Sequence, residues 1–194
     1  MHSWMEMMKK NFEILKDFPK EIIDAAKYHW ELDKDCLDDE TRFKFFRLDK
    51  YQDYVVIKGN HPLQSLIKFP VDHFSILYLR SLPAAGLGPV HIDSNRGCAL
   101  NIPISVDPND SFCFTAKYDV ECTERPFHSD EVGNPESKRY LYEPEKYDYY
   151  NVRESCLVNT KATHGFANFA ETERVLLSVS FSQPYDEVLR MLYR

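Results

Sequence analysis

His91 and Asp93 stand two residues apart in Pro89-Val90-His91-Ile92-Asp93, and a third candidate ligand, His164, follows far along the chain. On extended backbone, side chains two apart point to the same side. One imidazole and one carboxylate therefore face a common volume, and a chain that folds back as a barrel brings His164 to it. Two neutral nitrogens and one anionic oxygen on one face of an octahedron suit ferrous iron and leave positions open. Taken alone, the His91–Asp93 pair also fits an ordinary exposed strand, so the distal half has to supply further support. His128 is a rival third ligand, but it lacks the glycine that follows His164.

That support comes from residues 174–182. Val175, Leu177, Val179 and Phe181 alternate with Arg174, Ser178, Ser180 and Ser182, and only Leu176 interrupts the polar set. A strand of this kind has one dry face and one polar face. The guanidinium of Arg174 is a planar fork that matches a carboxylate in two-point contact. A metal triad and an arginine sharing a barrel interior form a site for a metal chelator with a carboxylate tail, and Ser178 on the same face is a further candidate contact. The alternative is an edge strand with Arg174 in solvent.

His91-Ile92-Asp93, then Leu100-Asn101-Ile102-Pro103-Ile104, then His164-Gly165-Phe166-Ala167-Asn168, and finally Arg174 with its alternating strand, resemble the iron(II)- and 2-oxoglutarate-dependent oxygenases. The aspartyl/asparaginyl hydroxylase-like branch is the nearest in flavour. The resemblance covers about residues 74 to 182. It implies that His91, Asp93 and His164 hold Fe(II), that 2-oxoglutarate chelates the metal while Arg174 takes its far carboxylate, and that dioxygen is the oxidant. The chain departs from the pattern in its spacing: 70 residues separate Asp93 from His164, which implies an insertion.

The rest of the composition is compatible with this. A chain of 194 residues with 43% hydrophobic and 28% charged residues fits one soluble domain with a real core. With 24 basic against 31 acidic residues, the net charge of -7 argues against a non-specific nucleic-acid binder. No run of about 20 apolar residues suggests a membrane span, and the N-terminus lacks a signal-peptide pattern. Cys36, Cys98, Cys113, Cys122 and Cys156 show no Cys-x-x-Cys spacing, so they read as free thiols in a reducing cytoplasm.

Several elements must position the site. Apolar spacing predicts helices over residues 4–16 and from Pro19 to about residue 31, together forming an N-terminal helical segment (1–32) that supports a sheet. Strands are expected at Tyr54–Ile57, Phe74–Ser81, Cys98–Ser105, Ser111–Val120, Ser155–Asn159 and Arg174–Phe181, within a β core spanning 54–182. Residues 33–50 read as a loop with at most a short strand, His61 as a solvent-exposed turn residue, and His73 as structural. Tyr78 is a candidate cosubstrate contact or a core tyrosine. Asn101 falls opposite Leu100 and Ile102 and looks inward, either to the cosubstrate or to neighbouring backbone. Arg96, in the turn after Asp93, is a candidate ligand for substrate or cosubstrate. Residues 121–154, with their prolines and tyrosines, read as an irregular lid in which Tyr140 and Tyr142 contact substrate. A last helix follows Pro184.

Short alternating strands with proline- and glycine-marked turns and flanking helices make this a mainly β protein, a double-stranded β-helix of the jelly-roll or cupin type. The expected activity is hydroxylation of an amino acid, a peptidyl side chain or another small metabolite. Rival readings are a cupin-like sensor that binds 2-oxoglutarate or metal without chemistry, and a metal-dependent isomerase or epimerase. The oligomeric state is open at this level.

Overall fold

A computed structural model describes residues 10–47, 51–67, 74–126 and 137–193. His73, His128 and residues 4–9 of the expected first helix lie outside the described residues. In chain order the elements are β1 (Phe12–Ile14), α1 (Lys20–Asp33), β2 (Phe43–Arg47), β3 (Gln52–Ile57), α2 (Pro62–Leu66), β4 (Phe74–Ser81), β5 (Gly86–Leu87), β6 (Cys98–Ser105), β7 (Ser111–Ala116), β8 (Tyr147–Asn151), β9 (Cys156–Asn159), β10 (His164–Asn168), β11 (Arg174–Phe181) and α3 (Tyr185–Leu192). The strands form a major sheet ordered β1-β9-β6-β11-β4-β3-β2 and a minor sheet ordered β5-β10-β7-β8, both antiparallel. This is the double-stranded β-helix that the alternation implies.

The central strand β11 shows how the sequence builds two environments from one element. Val175, Leu177, Val179 and Phe181 join the main core with Trp30 and Ala26 of α1 and Val188 of α3. Arg174, Leu176 and Ser180 face the space between the sheets. Directly paired residues of antiparallel strands share a face, so the register carries this division into the neighbours. Tyr78 is opposite Leu177, and Val55 is opposite Tyr78, all on the helix-covered side. Ser81 is opposite Arg174, and Leu79 opposite Leu176, on the inner side. A second apolar cluster, including Phe12, Tyr150, Cys156, Phe166 and Leu176, closes one end between the two sheets.

Three local expectations need correction. Phe12–Ile14, expected in a helix, is an edge strand paired with β9, and its alternate residues pack where helical spacing predicts a stripe. Tyr147–Asn151, expected in an irregular lid, is β8 and pairs along β7, so part of the presumed insertion is integral to the minor sheet. His61 is buried, not exposed: it caps α2 through Leu63 N–H and contacts Asp33.

Gly97 sits where the turn after Asp93 meets the chain leaving β11. A Cβ there would stand 2.1 Å from the carbonyl oxygen of Gln183, which is backbone and cannot swing aside. Gly97→Ala should therefore lower stability by about 1–3 kcal/mol, read as a reduced urea midpoint. An unchanged midpoint would show that this turn can relax.

Candidate metal centre

Asp93 lies between the two histidines. His91 and His164 face each other across a narrow antiparallel bridge, each donating its N–H to the other's carbonyl at 2.9 Å. Their ring centroids are 4.4 Å apart. Asp93 Oδ1 is 3.4 Å from His91 Nε2, and Asp93 Oδ2 is 3.7 Å from His164 Nε2. The Asp93 N–H donates to the Thr160 carbonyl at 3.0 Å, which ties the carboxylate's backbone to the turn before His164. Asp93 is not on a regular strand; the convergence comes from the bridge and this turn.

The proton positions follow from the second nitrogens. His91 Nδ1 is 3.0 Å from the Pro89 carbonyl, and His164 Nδ1 is 2.9 Å from the Ala162 carbonyl. A carbonyl only accepts, so each ring places its proton on Nδ1, and both Nε2 lone pairs look toward the carboxylate. Lone pairs and an anion facing one another at these distances require a cation or a proton among them. Burial, and then the nearby His91, push His164 down to about 4, so it is neutral at pH 7. Burial opposes ionisation of Asp93, but the Arg96 guanidinium beside it outweighs that and holds the carboxyl well below its usual range. A neutral imidazole and an ionised carboxylate are what a divalent cation binds.

Among the described residues a second group, His29, Asp33 and His61, has ligand atoms at similar separation. Its protons are arranged oppositely. His61 Nδ1 accepts the Leu63 N–H at 3.1 Å, so the ring proton sits on Nε2 and donates to Asp33 Oδ2 at 2.8 Å. Tyr78 donates to the same oxygen at 3.2 Å, and Arg42 to Oδ1 at 3.0 Å. Asp33 is fully engaged by donors, and His61 has no lone pair to offer. This cluster ties α1 to α2 and the sheet.

A cavity of about 600 Å³ opens onto the triad. Its floor holds Arg174, Asn101, Cys113, Tyr150 and Leu176. Arg174 is 2% exposed; it donates to Ser81 Oγ at 3.2 Å and Cys113 Sγ at 2.6 Å, and lies 5.3 Å from the Phe166 ring centroid. Among the described residues no carboxylate pairs with it. A buried guanidinium without an anion is costly. Arg174 Nε, Asn101 Oδ1 and Ser178 Oγ are buried without a hydrogen-bond partner. Unpaired buried polar atoms are uncommon and call for a ligand or water, and a bound carboxylate fits Arg174 directly. The outer wall is different: Phe46, Tyr54, Val56, Phe74, Leu77 and Leu79 make it apolar.

Other site candidates fall elsewhere. Tyr78 does not reach the cavity: it packs on Trp30 with ring centroids 5.0 Å apart and bonds Asp33, one face away from Arg174. Ser178 is on the inner face opposite Asn101 and fully buried, but it is not among the residues lining the cavity. Tyr140 packs behind the minor sheet with Val90 and Phe114, and Tyr142 stacks on Tyr147 and shares a hydrogen bond with Tyr149, so neither tyrosine reaches a substrate in this cavity. Arg96 is at the site, but its guanidinium is engaged by Asp93 Oδ2 and by Ser180 Oγ. Among the cavity-lining residues not anticipated from the sequence are Arg139, which pairs opposite His91 in an isolated bridge, and Tyr54. The sequence signal for Tyr54 was the alternation of β3; Arg139 had none, because its position depends on a long-range bridge.

No family model and no curated protein matches the chain. Solved structures do. HygX from Streptomyces hygroscopicus, with nickel and 2-oxoglutarate bound, aligns with a TM-score of 0.53 at 10% identity, covering 91% of this chain and 84% of that one. EvdO2 from Micromonospora carbonacea var. aurantiaca aligns at 0.53 and 11% identity, covering 91% and 87%. The epimerase SnoN, in complex with Fe3+, alpha ketoglutarate and nogalamycin RO, aligns at 0.52 and 10% identity, covering 89% and 78%. At these identities the likeness is one of fold.

The protonation of His164 makes stability depend on pH. The unfolded chain binds this proton near 6.5 and the folded chain only near 4, so between those values the unfolded state holds more protons. Its contribution is fully present above pH 6.5 and is lost as pH falls toward 4, on the order of 3 kcal/mol. Asp93 extends the loss further into acid, because its folded carboxyl titrates well below 3.8. Urea unfolding in the presence of a chelator should show this decline, and His164→Phe should flatten it between pH 6.5 and 4. Parallel profiles for the two proteins would contradict a neutral buried His164.

Proposed function

We propose that this protein is an Fe(II)- and 2-oxoglutarate-dependent oxygenase acting on a small molecule. The observation that supports it best is one cavity in which two Nε2 lone pairs and an ionised carboxylate converge, lined also by a buried arginine that has no carboxylate partner among the described residues. In this reading His91, Asp93 and His164 hold the metal, and Arg174 receives the far carboxylate of 2-oxoglutarate. Ferrous iron and 2-oxoglutarate, when bound, would supply oxidative chemistry in which dioxygen gives one atom to succinate, with loss of carbon dioxide, and the other to a substrate C–H bond.

The chain's own residues do the rest. The Pro89 and Ala162 carbonyls keep both imidazoles in the tautomer that presents Nε2. Ser81 and Cys113 orient Arg174 along the cavity floor. Leu176, Phe166 and Tyr150 exclude water around it, which strengthens a carboxylate–guanidinium contact. The apolar wall formed by Phe46, Tyr54, Val56 and Leu77 suits a substrate with an uncharged face. Hydroxylation is the outcome we favour, with a small metabolite as the substrate class. A cytoplasmic location agrees with free thiols and a ferrous ion.

Succinate release measured over a metabolite panel tests this reading. Release should require both added iron and 2-oxoglutarate. His91→Ala should abolish divalent-metal uptake and succinate release together; full activity in that variant would refute the triad. Arg174→Ala should retain metal and raise the 2-oxoglutarate requirement by about tenfold or more, the worth of a lost charge-assisted contact. An unchanged requirement would place the carboxylate contact elsewhere.

A further inference from the structure

Arg96 is held at both ends. Its side chain bonds Asp93 Oδ2 through Nε and reaches Ser180 Oγ through Nη1 at 3.3 Å. Its backbone carbonyl accepts the Thr160 hydroxyl at 2.9 Å, and the next residue, Gly97, donates its N–H to the Phe181 carbonyl at 2.8 Å. The backbone bonds fix the turn that carries it, and the guanidinium can meet a ligand only by giving up both Asp93 and Ser180. It is a fixed positive charge on the carboxylate that faces both imidazoles, leaving Asp93 Oδ1 as the oxygen nearer His91 Nε2.

We propose that Arg96 sets the charge balance of the metal pocket, weakening the hold on a bare divalent cation while strengthening the hold on a dianionic cosubstrate bound to that cation. This rests on the metal and 2-oxoglutarate reading above. The charge count gives the signs. Asp93 and Arg96 together are neutral, so a cation of charge +2 enters a neutral pair, and a dianion then meets a net +2. Without the guanidinium the cation meets -1 and the dianion meets only +1. Lys161, whose ammonium is fixed 2.9 Å from the Asp93 carbonyl and 2.8 Å from that of Ser94, contributes equally in both cases, as do Arg139 and Arg174 in the cavity lining. The comparison therefore isolates Arg96. A residue that merely props up the turn would, when removed, weaken both ligands together, because both depend on the placement of Asp93.

The experiment is a pair of calorimetric titrations on the full chain: Mn(II) into metal-free protein, then 2-oxoglutarate into the Mn(II)-loaded protein. Arg96→Ala should bind Mn(II) about tenfold more tightly and 2-oxoglutarate about tenfold more weakly, the order expected for removing one charge from a partly solvated pocket. Arg96→Gln removes the charge but keeps a donor for Asp93, so it should move both affinities in the same opposed directions even if the alanine variant folds poorly. Arg96→Lys should stay near wild type. Variants that lose both affinities, or change neither, overturn the inference while leaving the triad standing. A wild-type protein that takes up neither Mn(II) nor 2-oxoglutarate overturns the metal reading itself, and this inference with it.

Discussion

Two main-chain carbonyls decide which nitrogens face the cavity. Pro89 and Ala162 each stand two residues before a histidine, and each accepts from that histidine's Nδ1. The same local device is used twice, on segments distant in sequence, and the reciprocal backbone bonds between His91 and His164 then hold the rings together. An imidazole has one proton in its neutral form, so committing it on the far side leaves a lone pair on the near side. His61 shows the opposite arrangement within the same molecule. A backbone N–H reaches its Nδ1, the proton moves to Nε2, and the result is a hydrogen bond to Asp33 that holds helices to sheet. Two similar constellations of histidine and aspartate thus have different chemistry, and the second nitrogen separates them.

The remaining architecture serves that placement. β11 carries the main core on one side and the cavity floor on the other, so the dry face anchoring α1 and α3 also fixes where Arg174 points. Keeping a guanidinium there is unfavourable unless something anionic visits. The unpaired Nε of Arg174 and Oδ1 of Asn101 show that the protein itself does not complete this polar set among the described residues. Arg96, by contrast, is satisfied by Asp93 of its own turn and Ser180 of β11. Among the described residues Arg174 has no carboxylate partner and Arg96 has one, which separates their roles more clearly than residue type can.

Much of the fold could be read from alternation. β4, β6 and β11 appear with the bounds that their patterns imply, because each meets Gly, Pro or turn residues at its ends and has at least one uninterrupted apolar face. Tyr78 shows the limit. Ile76 to Leu79 is apolar on both faces, so parity cannot be assigned until the register with β11 places Tyr78 opposite Leu177 and Ser81 opposite Arg174. For Tyr140 and Tyr142 the sequence offers only an aromatic cluster, which does not show the side of the sheet it covers. Arg139 could not be foreseen, since its place depends on a bridge to His91. Local patterns name ligand types and strand faces; long-range register decides which of them meet.

Pulsed electron paramagnetic resonance of the protein loaded with one equivalent of Cu(II) tests the central claim most directly, because it detects the remote ring nitrogens of coordinated imidazoles. The account predicts modulation from two such nitrogens, reduced to one in His91→Ala and left intact in His61→Ala. Modulation that survives removal of His91 and His164, or that disappears with His61, would contradict it.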